Sequence, residues 1–172
     1  MKKYCEECKR EVETKVITQK ESYIVFGEEI EVDAQVLVCV DCGEEFFCEE
    51  LDNSTLLTAY NLYRKKHKLL LPEEIKKIRE QYGLSQRAFA KLLNWGDKTI
   101  CRYENGSIQD KAHNSLLLFL REPQNMRTYL NENEILLDER QQKKLYKAVG
   151  ELENKKKIND ESNLIDLYFS NA

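Results

Sequence analysis

The sequence predicts an α+β fold with a small N-terminal β-sheet domain, an all-α domain and a helical C-terminal extension. Two Cys-x-x-Cys pairs enclose a stretch rich in Val, Ile and Tyr, which is typical of strands. From about residue 54 the apolar residues recur at helical spacing. We therefore expect four parts: the β domain at 1–53, a linker helix at 54–70, the all-α domain at 71–122 and the extension at 123–172.

Charge is strongly segregated along the 172 residues, although the net charge of -4 hides it. Residues 1–53 hold 6 Lys and Arg against 15 Asp and Glu, residues 54–103 hold 11 against 4, and residues 104–172 hold 10 against 12. Such asymmetry suggests different partners for different parts. The longest apolar runs are far shorter than the ~18 residues of a membrane span, and no secretion signal is visible, so we expect a cytoplasmic protein without a membrane partner.

The β domain carries four of the six cysteines in two pairs: Cys5, Cys8, Cys39 and Cys42. A two-residue spacer lets one tight turn direct two thiolates at one ion, so two turns complete the four-sulfur shell of a single structural zinc. About fifty residues are too few to fold securely alone, and the metal would stabilise them. A redox pair and a catalytic zinc site stay as alternatives, while Cys48 and Cys101 are interpreted as ordinary thiols.

Strands are expected over residues 12–18, 23–26 and 30–40, with a turn at 26–29. The side chains at 30, 32, 34, 36, 38 and 40 are apolar and alternate with others, as in a half-buried strand. Gly43 permits the left-handed backbone that a cysteine knuckle often needs.

The linker helix is expected over residues 55–68 with Ser54 as its N-cap. Leu56, Tyr60 and Tyr63 lie on one face, and the helix ends in the basic stretch 63–68. That stretch is either a solvated helix end or an arm that touches phosphates, and His67 is interpreted as a surface residue.

Four helices are expected in the all-α domain, over residues 72–82, 86–93, 98–104 and 110–121. Pro72 suits the first position of a helix, Ser85 is a typical N-cap and Gly83 a typical terminator. The second and third helices are joined by the short turn 94–97. Two short helices with such a turn, inside a basic helical unit, form the arrangement that lays one helix in the major groove of DNA.

The third of these helices is the candidate recognition helix. With Ile100 and Tyr103 packed inwards, the side chains that project towards DNA are those of Lys98, Thr99 and Arg102. Arg102 is the candidate for a bidentate contact with guanine, because its planar guanidinium matches the O6 and N7 acceptors.

Phosphate contacts are expected around this helix. Gln86 begins a helix, where its amide and the backbone N–H groups can meet a phosphate. The cations expected to contact phosphates without reading sequence are Arg64, Lys65, Arg87 and Lys91. Arg79 and Glu104 are expected to pair with each other and to brace the first helix against the third.

The string Arg102-Tyr103-Glu104-x-Gly106, with the Ser85-Gln86 start and a small Ala at the helix crossing, resembles the lambda-repressor-like (XRE-type) helix-turn-helix class. The cysteine pairs precede it, and Cys39-x-x-Cys42 is followed by Glu44-Glu45. This ordered pair of domains, over about residues 1–122, resembles the MqsA-like (YgiT-type zinc-finger) antitoxin family.

The MqsA resemblance implies binding and no enzymatic chemistry. It implies that the four paired cysteines hold zinc, that the N-terminal domain neutralises a toxin in a type II toxin–antitoxin system, and that a homodimer represses its own operon at a palindromic operator. Lys98 and Arg102 would read bases, but the family's best-known member has Asn at the position of Lys98, so its operator sequence does not carry over.

Two alternatives to the antitoxin hypothesis stay open. One is a phage or mobile-element regulator with the same architecture and no toxin. The other is a zinc-dependent nucleic-acid enzyme, which is disfavoured because the chain has two histidines and no His-x-Glu with Pro-Cys-x-x-Cys.

The extension departs from the family pattern. Glu122-Pro123 is expected to end the fourth helix, and Asp138 to cap another over 139–154, with Leu145, Val149 and Leu152 as an apolar stripe. Residues 164–169 form a late apolar patch. The extension either packs on its own domain or a dimer mate, or serves as an arm for a partner protein, or is partly disordered.

Overall fold

The computed structural model describes the backbone of residues 2–170 and the side chains of residues 2–158. The chain divides into two compact units, unit 1 at Met1–Lys68 and unit 2 at Leu69–Ala172. Unit 1 contains the sheet and unit 2 is helical, so the predicted α+β fold is confirmed. None of the helices in the described range has an apolar stretch of the length needed to cross a bilayer.

Unit 1 is built on a four-stranded antiparallel sheet with the strand order β1-β2-β3-β4. The strands are β1 (Lys2–Cys5), β2 (Arg10–Val25), β3 (Glu28–Cys39) and β4 (Glu45–Phe46). The sequence predicted neither β1 nor β4, because strands of four and two residues are too short to show an alternating pattern.

Strands β2 and β3 form one long hairpin, in which β2 is continuous where two separate strands were expected. The polar residues 19–22 join the strand because each pairs with a residue of β3, and Lys20 bridges Glu31 (3.2 Å) and Asp33 (2.9 Å) across the pair. The alternation on β3 is confirmed for residues 30–36, whereas 36–39 are all buried and Val40 lies beyond the strand and is 49% exposed.

The hairpin closes through the two residues Phe26 and Gly27, whose φ angles are +49° and +84°. Two positive φ angles between paired strands are the pattern of a type I′ turn, whose twist matches that of the strands. Glu28 follows directly, and its carboxylate accepts from Lys66 (2.6 Å) and lies 2.7 Å from Nε2 of His67. The hairpin tip is thereby tied to the end of the helix that follows the sheet.

That helix, α1 (Glu49–Lys66), differs from the predicted linker. It begins at Glu49 with Cys48 as N-cap, so Ser54 is not its cap; Asp52 accepts from the Cys48 N–H (3.1 Å), and acidic residues in a first turn favour a helix start. The helix lies in unit 1 and packs on β3 through the buried Thr55 and Ala59. Small residues on that face allow close approach to the sheet.

Unit 2 contains six helices within the described residues. They are α2 (Pro72–Gln81), α3 (Gln86–Leu92), α4 (Thr99–Glu104), α5 (Lys111–Leu120), α6 (Pro123–Glu132) and α7 (Glu139–Ser170). Ser85 caps α3 by accepting from the N–H of Ala88, as expected, and Gly83 follows α2 with a φ of +63°. The four predicted helices correspond to α2–α5 within one or two residues at each end.

One hydrophobic core joins the helices of unit 2, with Ile75, Phe89, Ile100 and Leu117 fully buried. The chain enters the unit through a buried polar network, in which Gln109 donates to the carbonyl of Leu70 (2.7 Å) and Asn114 accepts from the Leu70 N–H (2.8 Å). The N–H and the carbonyl of Leu70, which lies between two helices, are thus both paired with buried side chains.

The extension is helical and packs on its own unit over the residues whose side chains are described. Pro123 opens α6 instead of only ending α5, because proline is well tolerated at the first position of a helix. Asp138 accepts from the N–H of Gln141 (2.8 Å) at the start of α7, and Leu145 and Val149 enter the core. The side chains of the apolar patch at 164–169 lie outside the described residues.

Candidate metal centre and nucleic-acid interface

The two cysteine pairs form knuckles at one end of the sheet. Cys5 ends β1 and Cys39 ends β3, and both strands pair with β2 at its beginning, which brings the knuckles together. In each knuckle the second cysteine donates its N–H to the first sulfur, at 3.5 Å for both Cys8 and Cys42. The residue after each pair has a left-handed backbone, with φ of +53° at Lys9 and +80° at Gly43.

The four sulfurs converge on one point. Cys5 Sγ lies 3.5 Å from Cys42 Sγ and Cys8 Sγ lies 3.9 Å from Cys39 Sγ, and all four sulfurs are within 4.8 Å of one another. A tetrahedral shell with metal–sulfur bonds of about 2.3 Å places its sulfurs about 3.8 Å apart. The four cysteines therefore fit one tetrahedral ion, and each close contact joins the two knuckles, so neither pair stands apart as a redox site.

Packing the thiols together makes their ionisation unequal. Hydrogen bonding with Cys42, burial and the other two thiols raise the pKa of Cys8 to about 12. Burial of Cys39 opposes its ionisation, but hydrogen bonds from the backbone N–H groups of Cys42 and Asp41 outweigh it and lower the pKa of Cys39 to about 7. Because metals bind thiolates, loading this site releases protons.

Helices α3 and α4, joined by a tight turn, enclose the α3–α4 groove, which we define by five lining residues: Gln86, Arg87, Asp97, Lys98 and Cys101. Its volume is about 250 Å³. Arg87 is exposed and lies 3.0 Å from Asp97. This ion pair was not predicted, although Asp97 is the one acid between residues 81 and 103. Lys98 and Arg102 are exposed, as is Lys91 on α3.

Three of the sequence-predicted contacts are placed differently from expectation. Thr99 does not project outwards, because it is 6% exposed and its Oγ1 lies against Gly96. The amide nitrogen of Gln86 donates to Glu104 (2.7 Å), so only the rest of that side chain faces the groove. Arg64 is fully buried in unit 1 and donates to Asn61, so the prediction of a phosphate contact there is wrong. Lys65 is exposed.

The expected ion pair of Arg79 with Glu104 is present and supports α4 on its buried side. Arg79 donates to both carboxylate oxygens of Glu104, at 2.6 and 3.0 Å, and also to the carbonyl of Leu84 (2.9 Å). The two side chains are only 10% and 5% exposed. The same carboxylate receives the Gln86 amide, so one buried acid holds α2, α3 and α4 together. Ion pairing with Glu104 raises the pKa of Arg79, which stays charged.

An aromatic cluster supports the turn between α3 and α4. The Trp95 ring stacks on His113 with centroids 3.8 Å apart, and Tyr103 meets both rings edge-on. The Tyr103 hydroxyl and Nδ1 of His113 are 2.7 Å apart, and the same nitrogen lies 3.1 Å from Asp110. Tyr103 is therefore fixed inwards, as predicted, which turns the opposite side of α4 towards solvent.

A sheet with four cysteines that fit one metal ion, followed by a helical unit with two short helices around a tight turn, defines the class of protein to which the chain is compared. The chain belongs to the MqsA antitoxin family, whose model, described as the antitoxin component of a bacterial toxin–antitoxin system, matches residues 3–132. The predicted resemblance is thus confirmed, and with it an antitoxin role. The match begins within β1, spans the sheet and helices α1–α6, and ends before α7. None of the curated proteins compared with the chain matches it.

Proposed function

We propose that this antitoxin holds one structural zinc ion in unit 1 and represses its own operon through unit 2, as a homodimer on a palindromic operator. The donor set supports zinc, because four thiolates in a tetrahedral arrangement are its usual structural shell. Thiolate ligands need a reducing compartment, which supports a cytoplasmic location. Zinc bound here would offset part of the negative charge of the clustered thiolates and would join the two knuckles.

The observation that carries the DNA proposal is the α3–α4 groove. Lys98 and Arg102 lie exposed on one side of α4, and Ile100 and Tyr103 anchor its other side in the core. Arg87 and Lys91 extend the positive surface along α3. This arrangement supports a contact of Arg102 with a guanine edge and of the flanking cations with phosphates. Two copies of α4, one from each subunit, would lie in successive major grooves about one helical turn apart.

Arg102→Ala tests the DNA proposal. Loss of the base contact should cost about 1–3 kcal/mol of discrimination, so the operator and a scrambled duplex should bind with more equal affinity, and salt-sensitive binding should remain. The measurement is a titration of the full chain with the DNA upstream of its own gene. Arg121→Ala is the matched control, because Arg121 is exposed but lies beside Glu74 (3.8 Å), away from the groove. Unchanged discrimination in Arg102→Ala would refute its proposed role.

We further propose that unit 1 binds a basic toxin encoded beside this gene. Residues 1–53 carry a net charge of -9, and unit 1 as a whole holds 10 Lys and Arg against 15 Asp and Glu, a net charge of -5. Four thiolates exceed the charge of one Zn²⁺, so the unit stays acidic with metal bound. Expression of the neighbouring small reading frame should arrest growth, and co-expression of this chain should restore it. If rescue fails while the chain still binds its upstream DNA, the toxin proposal is wrong and the repressor proposal stands.

A further inference from the structure

The start of α7 presents two cations to the first turn of α3. Helix α7 lies outside the region that the family model matches. A groove of about 360 Å³ separates the two helices, and we call it the α3–α7 groove. Arg140 and Lys144 line its α7 side, and Ser85 and Ala88 line its α3 side. Because Gln86 and Arg87 line the α3–α4 groove, the first turn of α3 is shared by both grooves.

Both cations are available to a ligand. Arg140 and Lys144 are exposed, and neither forms an ion pair with any residue in the described part of the chain. The stem of Lys144 crosses closely over Gly83, its Cε 2.9 Å from where a Cβ would be, so glycine makes room for it. Asp138 also lines the groove, but its carboxylate accepts from the Gln141 N–H at the helix start.

Packing holds this surface in place before any ligand arrives. Leu145 and Val149 are fully buried in the core of unit 2, on the side of α7 opposite to solvent. Arg127 on α6 donates to both carboxylate oxygens of Glu153 on α7, with a closest distance of 2.7 Å. Side chains on a fixed helix lose little freedom on binding beyond their own rotamers, which favours a preorganised contact.

We infer that Arg140 and Lys144 bind the phosphate backbone of DNA beside the first turn of α3, so that α7 enlarges the DNA-binding surface. This inference rests on the proposed DNA-binding function of unit 2. Each DNA strand carries one phosphate per 3.4 Å of helix axis, so a strand that passes the first turn of α3 continues past its flanks. Contacts to phosphates position the duplex and do not read sequence, so α7 adds affinity equally on every duplex.

The test is the salt dependence of DNA binding by the full chain with Arg140→Gln and Lys144→Gln combined. Removing two phosphate contacts should reduce the slope of log K against log salt by about 1.8 and weaken the upstream duplex and its scrambled version by the same factor. Lys155→Gln with Lys157→Gln is the matched control, since it removes the same charge from exposed positions of the same helix, about 16 Å or more from Lys144. Arg140→Lys with Lys144→Arg should retain the original slope.

The outcomes separate this inference from the function on which it rests. A smaller slope in the variant with Arg140→Gln and Lys144→Gln, and not in the control, supports the inference, provided that circular dichroism shows an unchanged helical unit. Equal slopes for the variant with Arg140→Gln and Lys144→Gln, the control and the original chain overturn the inference while leaving DNA binding by α4 intact. A loss confined to the specific duplex would also overturn it, because phosphate contacts carry no sequence preference. If the original chain binds neither duplex, the proposed DNA-binding function itself fails.

Discussion

Replacement of Cys5 by Ser should unfold unit 1 and leave unit 2 folded. Cys5 is fully buried, its sulfur lies 3.5 Å from that of Cys42, and the core around it is small, with Val12 and Cys39 as its other buried members. Structural zinc sites in zinc-finger peptides contribute about 10–16 kcal/mol of apparent binding energy, and that energy is folding energy. A hydroxyl is a far poorer ligand than a thiolate, so the variant should lose both metal and sheet.

The measurements are the zinc content and the amide NMR spectrum of the full chain, in which the signals of the two units can be followed separately. Cys48→Ser is the matched control, because Cys48 lies in the same unit, is partly exposed and has no place in the sulfur cluster. Its effect should stay within about 0.5 kcal/mol, as for most surface changes. A Cys5→Ser variant with full zinc content and an intact sheet would contradict the metal centre.

Glu104→Ala should destabilise unit 2 by about 3–5 kcal/mol, which is the usual cost of removing one partner from a buried ion pair. Arg79 would keep its charge at 10% exposure and lose both of its bonds to the carboxylate, while Gln86 would lose the acceptor of its amide. For a unit of this size, each kcal/mol shifts the melting temperature by about 4–8 °C. Thermal unfolding followed by circular dichroism measures the effect.

Glu80→Ala provides the control, because Glu80 contacts the same arginine at 3.3 Å but is 52% exposed, where ion pairs contribute about 0–1 kcal/mol. A second variant checks the cause. Replacing Arg79 by Met together with Glu104 by Leu removes both charges, and much of the lost stability should return. If Glu104→Ala costs no more than Glu80→Ala, the buried pair does not brace α4.

The sequence predicted best those features in which a local signal and the tertiary fold agree. Ser85 and Asp138 were recognised as caps because their short side chains can accept from the first free N–H groups, and both do so. The cysteine spacing predicted the sulfur cluster because a two-residue spacer makes each pair of thiols point to the same side of its turn. Gly43 was recognised because few residues accept a φ of +80°.

The predictions that failed involve effects of packing that no local pattern carries. Arg64 belongs to a basic stretch, yet it is fully buried in unit 1. Thr99 begins a helix directly after the exposed Asp97 and Lys98, and only the fold shows that it lies against Gly96. The start of α1 was missed because residues 49–53 are acidic or polar except for Leu51, and because the helix depends on contact with β3. Arg140 and Lys144 gave no signal, since their neighbour at Ser85 is distant in sequence.

The stack of Trp95 on His113 has a spectroscopic consequence. Trp95 is the single tryptophan of the chain, and it lies in the turn between α3 and α4. Fluorescence excited beyond the tyrosine band therefore comes from unit 2 alone, at the base of α4. One sample can then report two melting events, with emission following the helical unit while absorbance of a metal–thiolate complex, such as one with cobalt in place of zinc, follows the sheet. A change in Trp95 emission therefore shows that a mutation has disturbed unit 2, and a change in the metal–thiolate absorbance shows that it has disturbed unit 1.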